Sequence, residues 1–188
     1  MTSTRPLRAD AKRNRERLLE AAVSAFTQGD PDVTMEAIAK EAGVGIGTLY
    51  RHFPTRDALV EATYRNQLSR LCDAADDLAR TEEPAAALRA WLDRFVDYMT
   101  TKRGMAEALR ALIASGGNPF AESRARLVGA ITTLLDAGIA AGAIRSDVAP
   151  GDVLTSLSGI SLAAGEPAQR EQAGRLLDLL MDGLRYRA

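Results

Sequence analysis

Apolar side chains return at helical spacing along almost the whole chain. Leu19, Val23 and Phe26 stand at i, i+4 and i+7 with Leu18, Ala22 and Ala25 beside them, which predicts a helix over about residues 10 to 28. Gly29 and the segment DPDV then read as a stop and a turn. Thr34 is a good N-cap, and Glu36 sits in the first turn behind it, where the helix dipole favours an acid. This short second helix is expected to bury Ile38 and Ala39 and to close at Ala42-Gly43. From Ile46 to Phe53 there is no strand alternation, and Pro54 stops a third short helix. Thr55 caps a fourth, with Asp57 in its first turn and no breaker until about Pro84. About 25 residues would make that helix a rod of roughly 38 Å, with Leu59, Ala62, Leu68, Leu71, Ala75 and Leu78 along it.

Beyond Pro84 the helical pattern resumes over 85–101, 104–115, 120–144, 153–165 and 168–187, broken clearly by GGNP at 116–119 and by RSDVAPGD at 145–152. There is no alternating run of strand length, no internal repeat and no low-complexity tract. The expectation is an all-α fold of about nine helices. A three-helix unit would occupy residues 1–54 and a larger helical body residues 55–188.

Composition adds little until charge is divided along the chain. The 188 residues carry a net charge of −1, with 46% hydrophobic and 26% charged side chains, an ordinary globular balance. Yet Arg5, Arg8, Lys12, Arg13, Arg15 and Arg17 meet only Asp10 and Glu16 between residues 5 and 17, a local +4 on a body of −5. A basic arm on an acidic body points to an anionic polymer as partner; a solvated, frayed terminus would read the same. The longest uncharged stretch, Val153 to Gly165, is too short to span a bilayer, and the N-terminal residues have no apolar core of the kind a secretory signal needs. One cysteine, Cys72, allows no intrachain disulfide, which suits a reducing cytoplasm. With a single histidine, His52, a metal site is not expected. Cys72 reads as a packing residue rather than a redox sensor, since no basic or helix-N-terminal activation is visible.

Residues 34 to 53 have the parts of a helix-turn-helix. Ala39 is small enough for two helices to cross closely, Gly43 makes the turn, and Ile38, Val44 and Leu49 anchor both helices to the first. In that geometry the second helix offers its N-terminal and outward residues to the major groove of DNA. Gly45 and Gly47 leave its entrance bare; Thr48, Tyr50 and His52 offer hydrogen-bond donors of different reach, and Arg51 adds a cationic fork. Thr48, Tyr50 and His52 are therefore expected to face outward.

The segment VTMEAIAKEAGVGIGTLYRHFPTRDALV resembles the DNA-binding signature of the tetracycline-repressor (TetR) family of transcriptional regulators. That resemblance implies a cytoplasmic homodimer on double-stranded DNA, most often a repressor on a near-palindromic operator, released when a small-molecule effector occupies the C-terminal domain. It implies phosphate contacts from Thr34, Thr55 and Arg56, recognition-helix contacts from Thr48, Tyr50 and His52, and base reading from Ile46, Gly47 and Arg51. Gly45 stands where a serine or similar cap is frequent in the family. Arg5 and Arg8 would belong to an arm entering the minor groove, as homeodomain arms do. A different class also fits: an α-helical small-molecule-binding or enzymatic protein with a vestigial helix-turn-helix. No phosphate loop, paired catalytic carboxylates or nucleophile–base pair supports an enzyme, and no cofactor is implied.

In the C-terminal body Trp91, Phe95, Tyr98, Met99, Met105, Leu109 and Phe120 would line an apolar effector pocket, or equally a plain core. Leu177, Leu180, Met181 and Leu184 form an i, i+3, i+4, i+7 stripe. Preceding it are Leu157 and Ile160 among the small residues Ser156, Ser158, Gly159, Ser161, Ala163 and Ala164. The family resemblance implies that these last two helices pair with their copies in a four-helix dimer interface; packing within one chain explains the stripe as well.

Overall fold

The computed structural model describes residues 5–27 and 33–185, without the side chains of residues 5–8 and of Pro167. Among the described residues there are nine α-helices and no strand. They are α1 (Arg5–Thr27), α2 (Met35–Glu41), α3 (Ile46–His52), α4 (Arg56–Thr81), α5 (Pro84–Gly104), α6 (Ala106–Ala114), α7 (Ser123–Ala140), α8 (Pro150–Ala163) and α9 (Arg170–Leu184). A short 3-10 turn at Pro167–Gln169 leads into α9. The all-α expectation holds. Its boundaries shift where proline opens a helix: α1 begins at Arg5 with Pro6 in its first turn, and α8 begins at Pro150, the first helical position.

The helices gather into two compact units. The first holds the described residues up to Asn66 together with Thr101–Pro119; the second holds Gln67–Thr100 and the described residues from Phe120 onward. In the first, α1 packs on α2 and α3. Leu18, Leu19, Ala22 and Phe26 of α1, Met35, Ile38 and Ala39 of α2, and Leu49 of α3 are all buried. Residues 101–119 join this unit through specific contacts. A side chain at Gly104 would stand 3.0 Å from the Thr27 backbone, so glycine lets the end of α5 lie against the end of α1. Ser115 donates a 2.7 Å hydrogen bond to the Asp57 carboxylate at the start of α4. The Lys102 ammonium lies 5.8 Å from the Tyr64 ring centre, and burial lowers its pKa.

The second unit is built around Trp91, whose indole N–H donates 2.8 Å to the Leu71 carbonyl of α4. The Phe95 ring lies beside it at 5.9 Å, tilted by 37°, and Leu88, Leu92, Ile131, Leu134, Leu157 and Leu177 are buried in the same unit. An ionic lattice ties α5 to α9: Arg89 pairs with Asp93 and, at 2.8 Å, with Asp178, while Arg170 reaches Asp93 at 2.8 Å and Asp97 at 3.1 Å. Those carboxylates hold the Arg170 pKa up, the Asp93 hydrogen bond contributing most. The lattice fixes which faces meet more than it stabilises them, because its members are partly in water.

Candidate nucleic-acid interface

The turn between α2 and α3 is set by backbone chemistry. Gly43 adopts φ 65°, a left-handed conformation that costs glycine little. It lets its own N–H reach the Lys40 carbonyl at 3.1 Å and the Val44 N–H reach the Ala39 carbonyl at 3.0 Å, the paired bonds of a Schellman stop. Thr34 closes the other end of α2: its Oγ1 accepts the Ala37 N–H at 3.2 Å. Thr55 repeats the device before α4, accepting from Ala58 at 3.1 Å. In both caps the oxygen is the acceptor, so each exposed threonine keeps a hydroxyl proton to donate outward.

Helix α3 is seven residues long and buries one of them, Leu49. At about 100° per residue, Gly47 and Arg51 lie on the side opposite Leu49, with Ile46 and Tyr50 on one flank and Thr48 on the other. Exposure follows that wheel. Tyr50 is 44% and Ile46 38% exposed, and Gly45, Gly47 and Arg51 also face solvent. Thr48 and His52 are half-buried; Thr48 accepts a 3.0 Å hydrogen bond from Arg51, and the His52 ring leans on Phe53. Nothing lies within 4 Å of a side-chain carbon built on Gly45 or Gly47, so the entrance of α3 is bare. Gly45 makes no side-chain cap.

Two arginines are placed differently from what charge alone suggests. Arg56, a phosphate ligand by family resemblance, stacks its guanidinium over the Phe26 ring at 5.2 Å. Arg15, counted with the basic arm, stacks over Phe53 at 5.4 Å. No spacing in the sequence joins these partners. Arg5 and Arg8 have side chains outside the described residues.

The effector-pocket candidates divide. Trp91, Phe95 and Tyr98 are buried in the second unit, with Met99 and Phe120 half-buried there; Met105 and Leu109 are buried residues of the first unit. Of the dimer stripe, Leu157, Leu177, Met181 and Leu184 are buried within the single chain, and Ile160 and Leu180 are half-buried. The α8–α9 pair instead leaves Leu162 85% and Leu179 68% exposed, about a residue or two around each helix from the buried stripe. Periodicity found an apolar face, and intrachain packing occupies it. Burial raises the Cys72 pKa more than neighbouring Arg126 lowers it, so the thiol stays protonated and poorly nucleophilic. No described helix is long and apolar enough to cross a membrane.

Comparison with known proteins agrees with this arrangement. Residues 18–63 match the family of bacterial regulatory proteins called tetR, and residues 83–186 match the C-terminal domain of SbtR-like transcriptional regulators. A TetR transcriptional regulator of Streptomyces coelicolor is similar in structure, with a TM-score of 0.88 and 55% identity over 93% of this chain and 99% of that one. A TetR regulatory protein of Mycobacterium vanbaalenii gives a TM-score of 0.78 and 33% identity over 96% of this chain and all of the other. An HTH-type transcriptional regulator of Staphylococcus aureus is 48% identical over 54 residues, a match spanning 28% of this chain and 29% of that relative's length. With one family description covering more than half of the residues and a second covering α2 and α3, the chain belongs to the TetR family of bacterial transcriptional regulators.

Proposed function

We propose that this regulator is a repressor that binds a near-palindromic operator as a dimer and releases it when a small effector binds. Residues 1–54 supply DNA recognition, and residues 55–188 supply effector binding and dimerisation. The observation carrying the reading is the outward face of α3, where Ile46, Tyr50 and Arg51 surround bare Gly47 while Leu49 alone points inward. Two such helices about 34–36 Å apart enter successive major grooves. Thr34 and Thr55 donate their free hydroxyl protons to phosphates, and Arg51, Tyr50, Thr48 and His52 read or flank bases. Pairing through the exposed face of α8 and α9 is supported by Leu162 and Leu179, and by Gly159 and Gly183, which would let a partner helix come close. An effector must favour one conformation by about 5.5 kcal/mol to move the population from almost all binding-competent to almost none. Selection of bound sites from random duplex DNA, with stoichiometry measured on the winning site, tests the proposal. Absence of any enriched site overturns it.

Tyr50→Ala removes an exposed side chain and no core, so operator affinity is expected to fall by about 1–2 kcal/mol per half-site while the melting temperature holds. A gel shift with unchanged affinity would take Tyr50 out of the interface. For the arm, Arg5→Ala with Arg8→Ala is expected to flatten the slope of log affinity against log salt by about 0.9 for each phosphate that is no longer neutralised. An identical slope removes the arm from the complex.

A further inference from the structure

We propose that Arg15 and Arg56 are positioning residues for the recognition helix, acting through crossed stacks on Phe53 and Phe26 rather than through phosphate. The inference rests on the DNA-binding reading of α3 and adds how that helix is held. A seven-residue helix is marginal by itself, and α3 has only Leu49 as an internal anchor. One buried side chain fixes a pivot, not an orientation. The second anchor is the C-cap, Phe53, whose ring is buried and whose N–H returns to the Leu49 carbonyl at 2.8 Å. Over that ring lies the Arg15 guanidinium of α1, at 5.4 Å. Three residues beyond Phe53, Arg56 reaches back over Phe26 of α1 at 5.2 Å. Both separations fall within the roughly 6 Å at which a guanidinium is attracted to a ring face. Each side of the joint thus gives one cation and receives one: α1 supplies Arg15 and Phe26, and the α3–α4 connection supplies Phe53 and Arg56.

The neighbours of Arg15 on the same helix show the contrast. Arg13 pairs with Asp10 and Arg17 bonds Asn14, both contacts within α1. The Arg17 guanidinium also lies near the Gly43 turn, 3.6 Å from where a side-chain carbon there would stand, but of these three Arg15 is the one that stacks on the end of α3. A planar guanidinium can lie flat along a ring where an ammonium makes only a point contact, so lysine at position 15 or 56 keeps the charge and loses the stacking fit.

The test uses Arg15→Lys and Arg56→Lys in the full chain, each measured in two ways. Without DNA, amide hydrogen exchange of Leu49 to Phe53 is expected to quicken about tenfold in either variant, with α2 amides unchanged. Unchanged protection in α3 overturns the proposal irrespective of DNA. With DNA, affinity is measured across a salt series on a duplex selected by the wild-type chain and on a scrambled duplex of equal length. A positioning role lowers affinity for the selected duplex about tenfold, leaves the scrambled duplex alone and leaves the salt slope unchanged. A phosphate-binding role predicts little change in the lysine variants, which keep the charge, and Arg15→Met and Arg56→Met check it: a slope reduced by about 0.9 per subunit, with affinity falling equally on both duplexes, overturns the assignment. A merely structural role would lower melting temperature without changing the ratio of the two affinities, and that result overturns it too. Failure of the wild-type chain to select any duplex would sink the DNA-binding reading and leave the exchange result to decide the stacks.

Discussion

Gly47→Glu is expected to weaken operator binding about a thousandfold while leaving the fold as stable as before or slightly more so. Gly47 lies in the first turn of α3, and a side chain built there meets nothing within 4 Å. Replacing a helical glycine recovers about 0.5–1 kcal/mol of backbone entropy. A carboxylate in a first turn also suits the helix dipole. Folding therefore does not oppose the change. In the proposed complex the same carboxylate enters a groove walled by phosphates, between Ile46 and Arg51, where like charges cost several kcal/mol. Taking about 2 kcal/mol per subunit and two subunits, operator affinity falls about a thousandfold. Fluorescence anisotropy on the selected duplex, beside a thermal melt, measures both halves. Binding retained within tenfold in a normally folded variant would move α3 out of the groove.

Trp91→Ala is expected to have the largest effect on stability. The indole is fully buried, packs against Phe95 at 5.9 Å and donates 2.8 Å to the Leu71 carbonyl. Truncating a buried aromatic of this size costs about 3–5 kcal/mol, a large share of the 5–15 kcal/mol that typically separates folded from unfolded chains. At about 2–4 °C per kcal/mol for a chain of this length, melting should drop by roughly 6–20 °C. Circular dichroism is the proper readout, because Trp91 is the only tryptophan and its removal leaves only the weaker tyrosine fluorescence. Trp91→Phe keeps most of the packing and gives up the hydrogen bond, so a cost of about 1–2 kcal/mol is expected. A drop of less than 3 °C for alanine would show that the second unit closes over the gap.

What the sequence discloses and what it withholds divide along a physical line. Thr34, Gly43 and Thr55 act on backbone groups within a few residues of themselves, so their caps and turn follow from local order alone. Leu49 could be assigned inward because a short helix bounded by glycine and proline leaves little choice of face. The stacks of Arg15 and Arg56 join residues that only the fold brings together, 38 and 30 positions apart, and no local preference marks them. The placement of residues 101–119 with the first unit is of the same kind. For Leu177, Met181 and Leu184 the difficulty is different. Spacing shows that a face is apolar; it does not show whether the covering surface comes from the same chain or another. Here the same chain covers it.

Leu162 and Leu179, left bare on α8 and α9, carry a consequence for dosage. If association through them makes the binding species, its abundance rises with the square of the monomer level while most chains are single. Each tenfold dilution then subtracts about 1.4 kcal/mol from assembly at 25 °C. Genes under such control would respond sharply to how many molecules a cell holds, and a diluted sample in the test tube would melt earlier than a concentrated one.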